Sequence, residues 1–357
     1  MRNKWLIIVS ASVVMGVALS FILRAPTREN GPYLPLDGQH RVAVTLPGSD
    51  DFGKVPLGNR IFGVDENLSN YLVGINALHG SHQSPLSINM KAPPKAITDL
   101  LNALPDALRA LLSRKLVGIY LTANLTVSGL TQPVFPTLAS ETPYGGVIIL
   151  NLESFETHAK SAGSLDTWMA TREYAIFKPA KNTAIRARMS QTPDGLGAFE
   201  YELLRGLGML LTIGSEHFFD WNANTLADGS ESKYPFFALS WLIQHQLLLP
   251  LPAFDFKGRK DLAAGSGSTS KVAATHMREI YEGLEQTNFP TLYAALSPID
   301  AFAESFASFI HTKVFHQTFE FDILVNGKKV KTVRSCWDEP RCATKRALLE
   351  KIIMGEI

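Results

Sequence analysis

Between Ala96 and Leu116, apolar side chains fall at Leu100, Leu101, Leu104, Leu108, Leu111 and Leu112; this spacing predicts an amphipathic helix interrupted at Pro105. Two β-rich runs follow, Val117 to Thr122 and Gly146 to Asn151, the second introduced by Gly145-Gly146. Earlier, the short alternating run Arg41 to Leu46 predicts one strand within a stretch, residues 25 to about 65, otherwise rich in Pro, Gly, Asp and Asn. A second helical pattern starts at Thr192-Pro193-Asp194, with a capping side chain and a first-turn proline, and stops at Gly214. Its Leu203, Leu207, Leu210 and Leu211 form one apolar stripe, while Glu202, Arg205 and Met209 share another face.

Tyr234 begins an apolar segment that runs to Leu249 and is closed by Pro250 and Pro252, and the Gly/Ser-rich stretch within 262–272 reads as a loop. Ser297-Pro298 then starts a helix whose apolar face is Phe302, Phe306, Phe309 and Ile310. On its other side Asp300, Glu304 and His311 lie within roughly 40° of one another at 3.6 residues per turn. Phe319 to Val325 and Lys329 to Val333 flank Asn326-Gly327, a hairpin pattern, and Thr344 to Met354 reads as a terminal amphipathic helix.

With 357 residues, 46% of them apolar, the chain can bury a substantial core. Thirty-four basic and thirty-three acidic side chains give a formal charge of +1, which supplies no polycationic surface for nucleic acid. At the N-terminus Arg2 and Lys4 precede an apolar run from Trp5 to Leu23, closed by Arg24. That run is longer than the ~7–15 apolar residues of a secretory signal and close to the roughly 20 of a spanning helix, so its length favours a membrane anchor. The small residues from Gly16 to Ser20 leave a cleaved signal as the alternative. Basic residues at the very N-terminus place that end in the cytoplasm and the body outside it. In an exported chain the close pair Cys336 and Cys342 is most simply a disulfide clamping a turn, the other possibility being two unpaired thiols.

The helix Tyr201-Glu202-Leu203-Leu204-Arg205-Gly206-Leu207-Gly208-Met209 resembles the active-site helix of zincin metallopeptidases, whose His-Glu-x-x-His binds zinc through two histidines and uses the glutamate as general base. Arg205 and Met209 stand at the two histidine positions and Gly206 at the glutamate. Downstream, Asp300-Ala301-Phe302-Ala303-Glu304-Ser305-Phe306 resembles the Glu-x-Phe-Ala-Glu-x-Phe helix that presents the third zinc ligand in glutamate-using zincins. Asp300 stands at the ligand position and Glu304 at the supporting glutamate. The C-terminal layout, with Ser-Cys-Trp and Arg-Cys before a final helix, is similar to that of exported bacterial metallopeptidase-like proteins. The resemblance spans roughly residues 115 to 350. It implies an α+β, zincin-like fold, with a mixed sheet before the motif helix and a mainly helical C-terminal part. It also implies that the strand preceding the motif helix, Gly146 to Asn151, forms the upper wall of a cleft. The expected organisation is an anchor or signal over 1–24, a tether and first strand over 25–65, and one domain over 66–357. Within that domain the sheet part covers about 66–190, the helical part about 191–316, and the hairpin, cysteine turn and last helix 317–357.

The family's cofactor is zinc, and the ligands for it are absent. Arginine stays protonated and donates no lone pair, methionine is a soft thioether, and Gly206 has no side chain to accept a proton. A second register, with Glu202 as base between Tyr201 and Arg205, fares no better. The Arg205 guanidinium is expected to fill the place of the metal's charge and pair with Asp300 and Glu304; the alternative is a helix-surface pair with Glu202. His79 with His82, His217 with Asp220, and His316 read as loop or internally satisfied histidines. His311 stands nearest a ligand role, in a set with Asp300 and Glu304. No Gly-rich phosphate loop or nucleophile elbow is present. The expected function is a catalytically degenerate, metallopeptidase-like protein at the bacterial inner membrane with a periplasmic domain, or secreted if the signal is cleaved, with a peptide or protein in the former cleft. The alternatives are an active metal-dependent hydrolase with non-standard ligands and a structural envelope protein.

Overall fold

The computed structural model describes residues 32–36, 40–46, 49–88, 92–154, 165–190, 197–215, 228–263 and 270–356. The apolar run 5–23, the helix start at 192–194 and the pair His217 and Asp220 lie outside the described residues. No helix among the described residues is long and apolar enough to cross a membrane.

In chain order the strands are β1 (Tyr33–Pro35), β2 (Arg41–Ala43), β3 (Ile61–Gly63), β4 (Leu116–Thr122), β5 (Gly129–Val134), β6 (Gly145–Asn151), β7 (Thr183–Arg188), β8 (Trp241–Gln244), β9 (Leu247–Pro250), β10 (Glu320–Val325) and β11 (Lys328–Arg334). The helices are α1 (Glu66–Leu78), α2 (Lys95–Ala103), α3 (Asp106–Lys115), α4 (Leu165–Ala175), α5 (Ala198–Thr212), α6 (Pro235–Ala238), α7 (Met277–Leu284), α8 (Pro298–Phe309) and α9 (Ala343–Met354). The protein is α+β with mixed sheets. Pro105 splits the Leu-rich pattern into α2 and α3, as a residue without an N–H and with a fixed φ must. The run at 41–46 shrinks to the three residues of β2, which pairs with β1.

The central sheet has the order β3-β4-β6-β5, with β3, β4 and β6 parallel and β5 antiparallel at one edge. Every residue of β4 and β6 is buried, because helices cover both faces. Leu68, Tyr71 and Leu72 of α1 meet Val117, Tyr120, Val147 and Ile149 on one face. Leu203, Leu207 and Leu210 of α5 join Ile119, Leu121, Ile148 and Leu150 on the other. A second sheet, β11-β10-β7, is wholly antiparallel; its β10–β11 turn places Asn326 at φ 51° and Gly327 at φ 72°, as a tight hairpin needs.

The strand expected to wall the cleft does line it, through Ile148 and Leu150, but it is not a free edge. Gly146 to Asn151 is β6, an interior strand hydrogen-bonded to β4 on one side and β5 on the other. The edge is β5, which carries Pro133, a residue tolerated where one side of a strand lacks a ladder. Near its end, Tyr33 and Phe135 exchange two backbone hydrogen bonds, 2.9 and 3.0 Å, on the side away from β6. By the two-residue period of a strand, Gly129 and Thr131 direct their backbone groups to that same outer side. Among the described residues no backbone group pairs with theirs there.

Candidate functional site

Helices α5 and α8 cross closely because Gly208 leaves no side chain at the contact: a Cβ there would meet the Ala303 Cα at 3.0 Å and the Phe306 Cβ at 3.1 Å. Gly206 likewise lets α5 settle on the sheet, where an added Cβ would meet Ile148 at 3.0 Å and Thr131 Oγ1 at 3.3 Å. Thr131 Oγ1 donates to the Gly206 carbonyl across this contact, 3.2 Å. Ser297 caps α8 by accepting from the Asp300 N–H, 3.1 Å, and its hydroxyl donates to Asp300 Oδ2, 2.6 Å.

This crossing brings Arg205 of α5 against Asp300 and Glu304 of α8. Its Nη1 donates to both oxygens of Glu202, at 2.8 and 2.9 Å, and its Nη2 to Asp300 Oδ1, at 3.3 Å. Nε lies 2.5 Å from Glu304 Oε1, an ion contact without the alignment of a hydrogen bond. Both expected pairings, the i, i+3 pair with Glu202 and the long-range pairs with α8, therefore coexist.

Glu304 is fully buried and also pairs with Arg172 of α4, a residue that sequence reasoning missed. Thr291 Oγ1 donates to its Oε2 at 3.3 Å and the Tyr201 hydroxyl stands 3.5 Å away. Burial alone would raise the Glu304 pKa; Arg172 and Arg205 outweigh it and hold the carboxyl below the usual range. Arg205 shows the converse balance, since burial opposes its charge and Glu202, Glu304 and Asp300 more than restore it. Next to Arg172, burial pushes the buried Glu173 up to about 7 against Arg172 and a 2.6 Å hydrogen bond from the Tyr281 hydroxyl.

A cavity of about 360 Å³ lies over this cluster. Its lining includes Gly129 to Gln132 of β5, Glu202, Arg205, Gly206 and Met209 of α5, and Asp300 of α8, so four of the five positions singled out at the motif face one cleft. Glu304 supports them from beneath.

The set His311, Asp300 and Glu304 does not form, and that expectation is corrected. The three share an angular face, but at a 1.5 Å rise per residue His311 stands roughly 10 Å along the helix from Glu304 and roughly 16 Å from Asp300. Its Nε2 faces the carbonyls of Met189 and Thr318 at 2.7 and 2.9 Å, and its ring meets Tyr201 edge-on. A π-turn, Ile310–Val314, follows α8 at this point. Among the described residues no group of three or more His, Cys, Asp or Glu is arranged to hold a metal ion. Zinc, the metal the resemblance implies, does not fit the donors at the motif: a guanidinium engaged by three carboxylates and a thioether.

Cys336 and Cys342 form a disulfide, Cα atoms 5.8 Å apart, that clamps the turn before α9. Trp337 inside the turn is fully buried and stacks edge-on against Phe309, with Nε1 donating to Ser308 Oγ at 3.2 Å. Compared with protein-family models, with curated proteins and with solved structures, the chain shows no match.

Proposed function

We propose that this chain is a catalytically inert, zincin-like protein that binds an extended polypeptide segment in its cleft. The observation that carries the reading is the Arg205 guanidinium engaged by Glu202, Asp300 and Glu304 at the motif position, beside the outer edge of β5. A guanidinium supplies the positive charge that buried carboxylates require, so the cluster stays folded without a metal, while Gly206 offers no base to activate water. The outward backbone groups of half-buried Gly129, at the end of β5 next to the cleft, suit strand addition, in which main-chain hydrogen bonds hold an extended partner. In the same reading, the apolar run 5–23 holds the protein on the outer side of the inner membrane, or directs its export.

The test uses purified full-length protein. Metal content is measured by mass spectrometry, and a set of unstructured decapeptides is assayed for binding and cleavage. Binding without cleavage is expected, with well under one zinc per chain, and copies of a bound peptide N-methylated at alternate amides should lose affinity. About one tightly held zinc with chelator-sensitive cleavage would establish an active hydrolase instead. Absence of binding by every peptide would favour a structural envelope protein.

A further inference from the structure

Arg205 is the only arginine or lysine lining the cleft among the described residues, and taken alone it would suggest an anionic ligand. Its charge, however, is already surrounded by carboxylates. Nη1 is held by both oxygens of Glu202, Nη2 by Asp300, and Nε faces Glu304. A carboxylate or phosphate entering the cleft would meet the repulsion of Glu202, Asp300 and Glu304, which already surround this one cation.

The charge balance points the same way. Arg172, the second cation of the cluster, shares Glu304 Oε1 with Arg205. Two cations thus face three carboxylates, Glu202, Asp300 and Glu304, which leaves one negative charge in excess. The side chains of Glu202 and Glu304 are 5% and 0% exposed, whereas that of Asp300 is 30% exposed and lines the cavity. Each carboxylate oxygen has two acceptor positions; Asp300 spends one on Arg205 and one on the Ser297 hydroxyl. The free positions lie on the group of the cluster most open to solvent.

We infer that the cleft selects polypeptide segments bearing a lysine or arginine side chain, whose charge is received by Asp300. This rests on the polypeptide-binding reading above and adds a sign to it. Cavity space, an excess negative charge and an arginine whose charge three carboxylates already face together set that sign, and a neutral or acidic side chain at this place gains nothing from it.

Four otherwise identical extended decapeptides with a central Lys, Arg, Ala or Glu, titrated into the full-length protein at low and high salt, test the inference. The Lys and Arg peptides should bind about tenfold or more tighter than the Glu peptide, a gap that narrows with salt. Asp300→Asn should bring the four peptides to within about threefold of one another while binding of the Ala peptide persists, and Asp300→Glu should keep the preference. Equal affinities for the four peptides, or an unchanged preference in Asp300→Asn, overturn the inference but leave peptide binding standing. Failure of all four peptides to bind overturns both.

Discussion

Glu304 has no access to water and two guanidiniums on one of its oxygens, so removing either cation leaves a buried charge partly unpaired. Arg205→Met, close in length but neutral, is expected to cost about 3–5 kcal/mol, the range for breaking a buried pair from one side. Urea unfolding would measure this, and Arg205→Met combined with Glu304→Gln should cost less than the two changes added, because each removes the reason for the other. A surface-type pair with Glu202 alone would instead cost under about 1 kcal/mol and show no coupling to Glu304. Arg205, Asp300 and Glu304 were legible in the sequence because each sits on a strongly patterned helix at a motif spacing. Arg172 was not. It lies in α4, where polar and apolar residues mix without a clear stripe, and its partner is 132 positions away.

At the scale of elements, two contacts decide whether the site exists: α5 on α8, and α5 on the sheet. Gly208→Ala adds a methyl against the backbone of Ala303, which cannot step aside as a flexible side chain would. The roughly 1 kcal/mol that alanine gains over glycine in a helix is expected to be outweighed by about 1–3 kcal/mol of overpacking, lowering the thermal midpoint. An unchanged or raised midpoint would mean that the helices are not in this close contact. The clamp before α9 gives a second prediction. Cys336→Ser with Cys342→Ser opens a loop with a sequence separation of 6, which loop-closure entropy values at about 2 kcal/mol, and the buried Trp337 should report the loosened turn by its fluorescence. The hairpin and the Phe-rich helix were readable because their turn and cap residues state their geometry. β5 was hidden, since Gly129, Thr131, Gln132 and Pro133 weaken any strand pattern. The proline is the one sign that the run belongs at an edge. His311 misled for a related reason: angular position follows from sequence spacing, but distance along the axis decides which side chains meet.

Taken over the whole molecule, two buried glutamates on facing elements give stability opposite dependences on pH. Glu304 has its carboxyl held below the ordinary range, so it stabilises the fold above the unfolded value, near 4.3, and that contribution is lost as pH falls through the folded value. Glu173 is the reverse case. Burial pushes it up to about 7, so between roughly 4.3 and 7 the folded chain holds a proton that the unfolded chain has released. Stability therefore falls across that window by about 1.4 kcal/mol per pH unit and levels off above it, on the order of 3 kcal/mol in all. Glu173→Gln keeps the shape and the neutral hydrogen-bonding of the protonated acid but cannot ionise. It is expected to match the parent at pH 5 and to exceed it in stability at pH 8 by that same order of magnitude. Urea midpoints at pH 5, 6, 7 and 8 for the two proteins provide the measurement, and their difference isolates Glu173 from Glu304, Glu320 and Asp322, whose lowered values act only at acid pH. A difference that stays constant from pH 5 to pH 8 would show that Glu173 is ionised throughout, and that Arg172 divides its charge between Glu173 and Glu304.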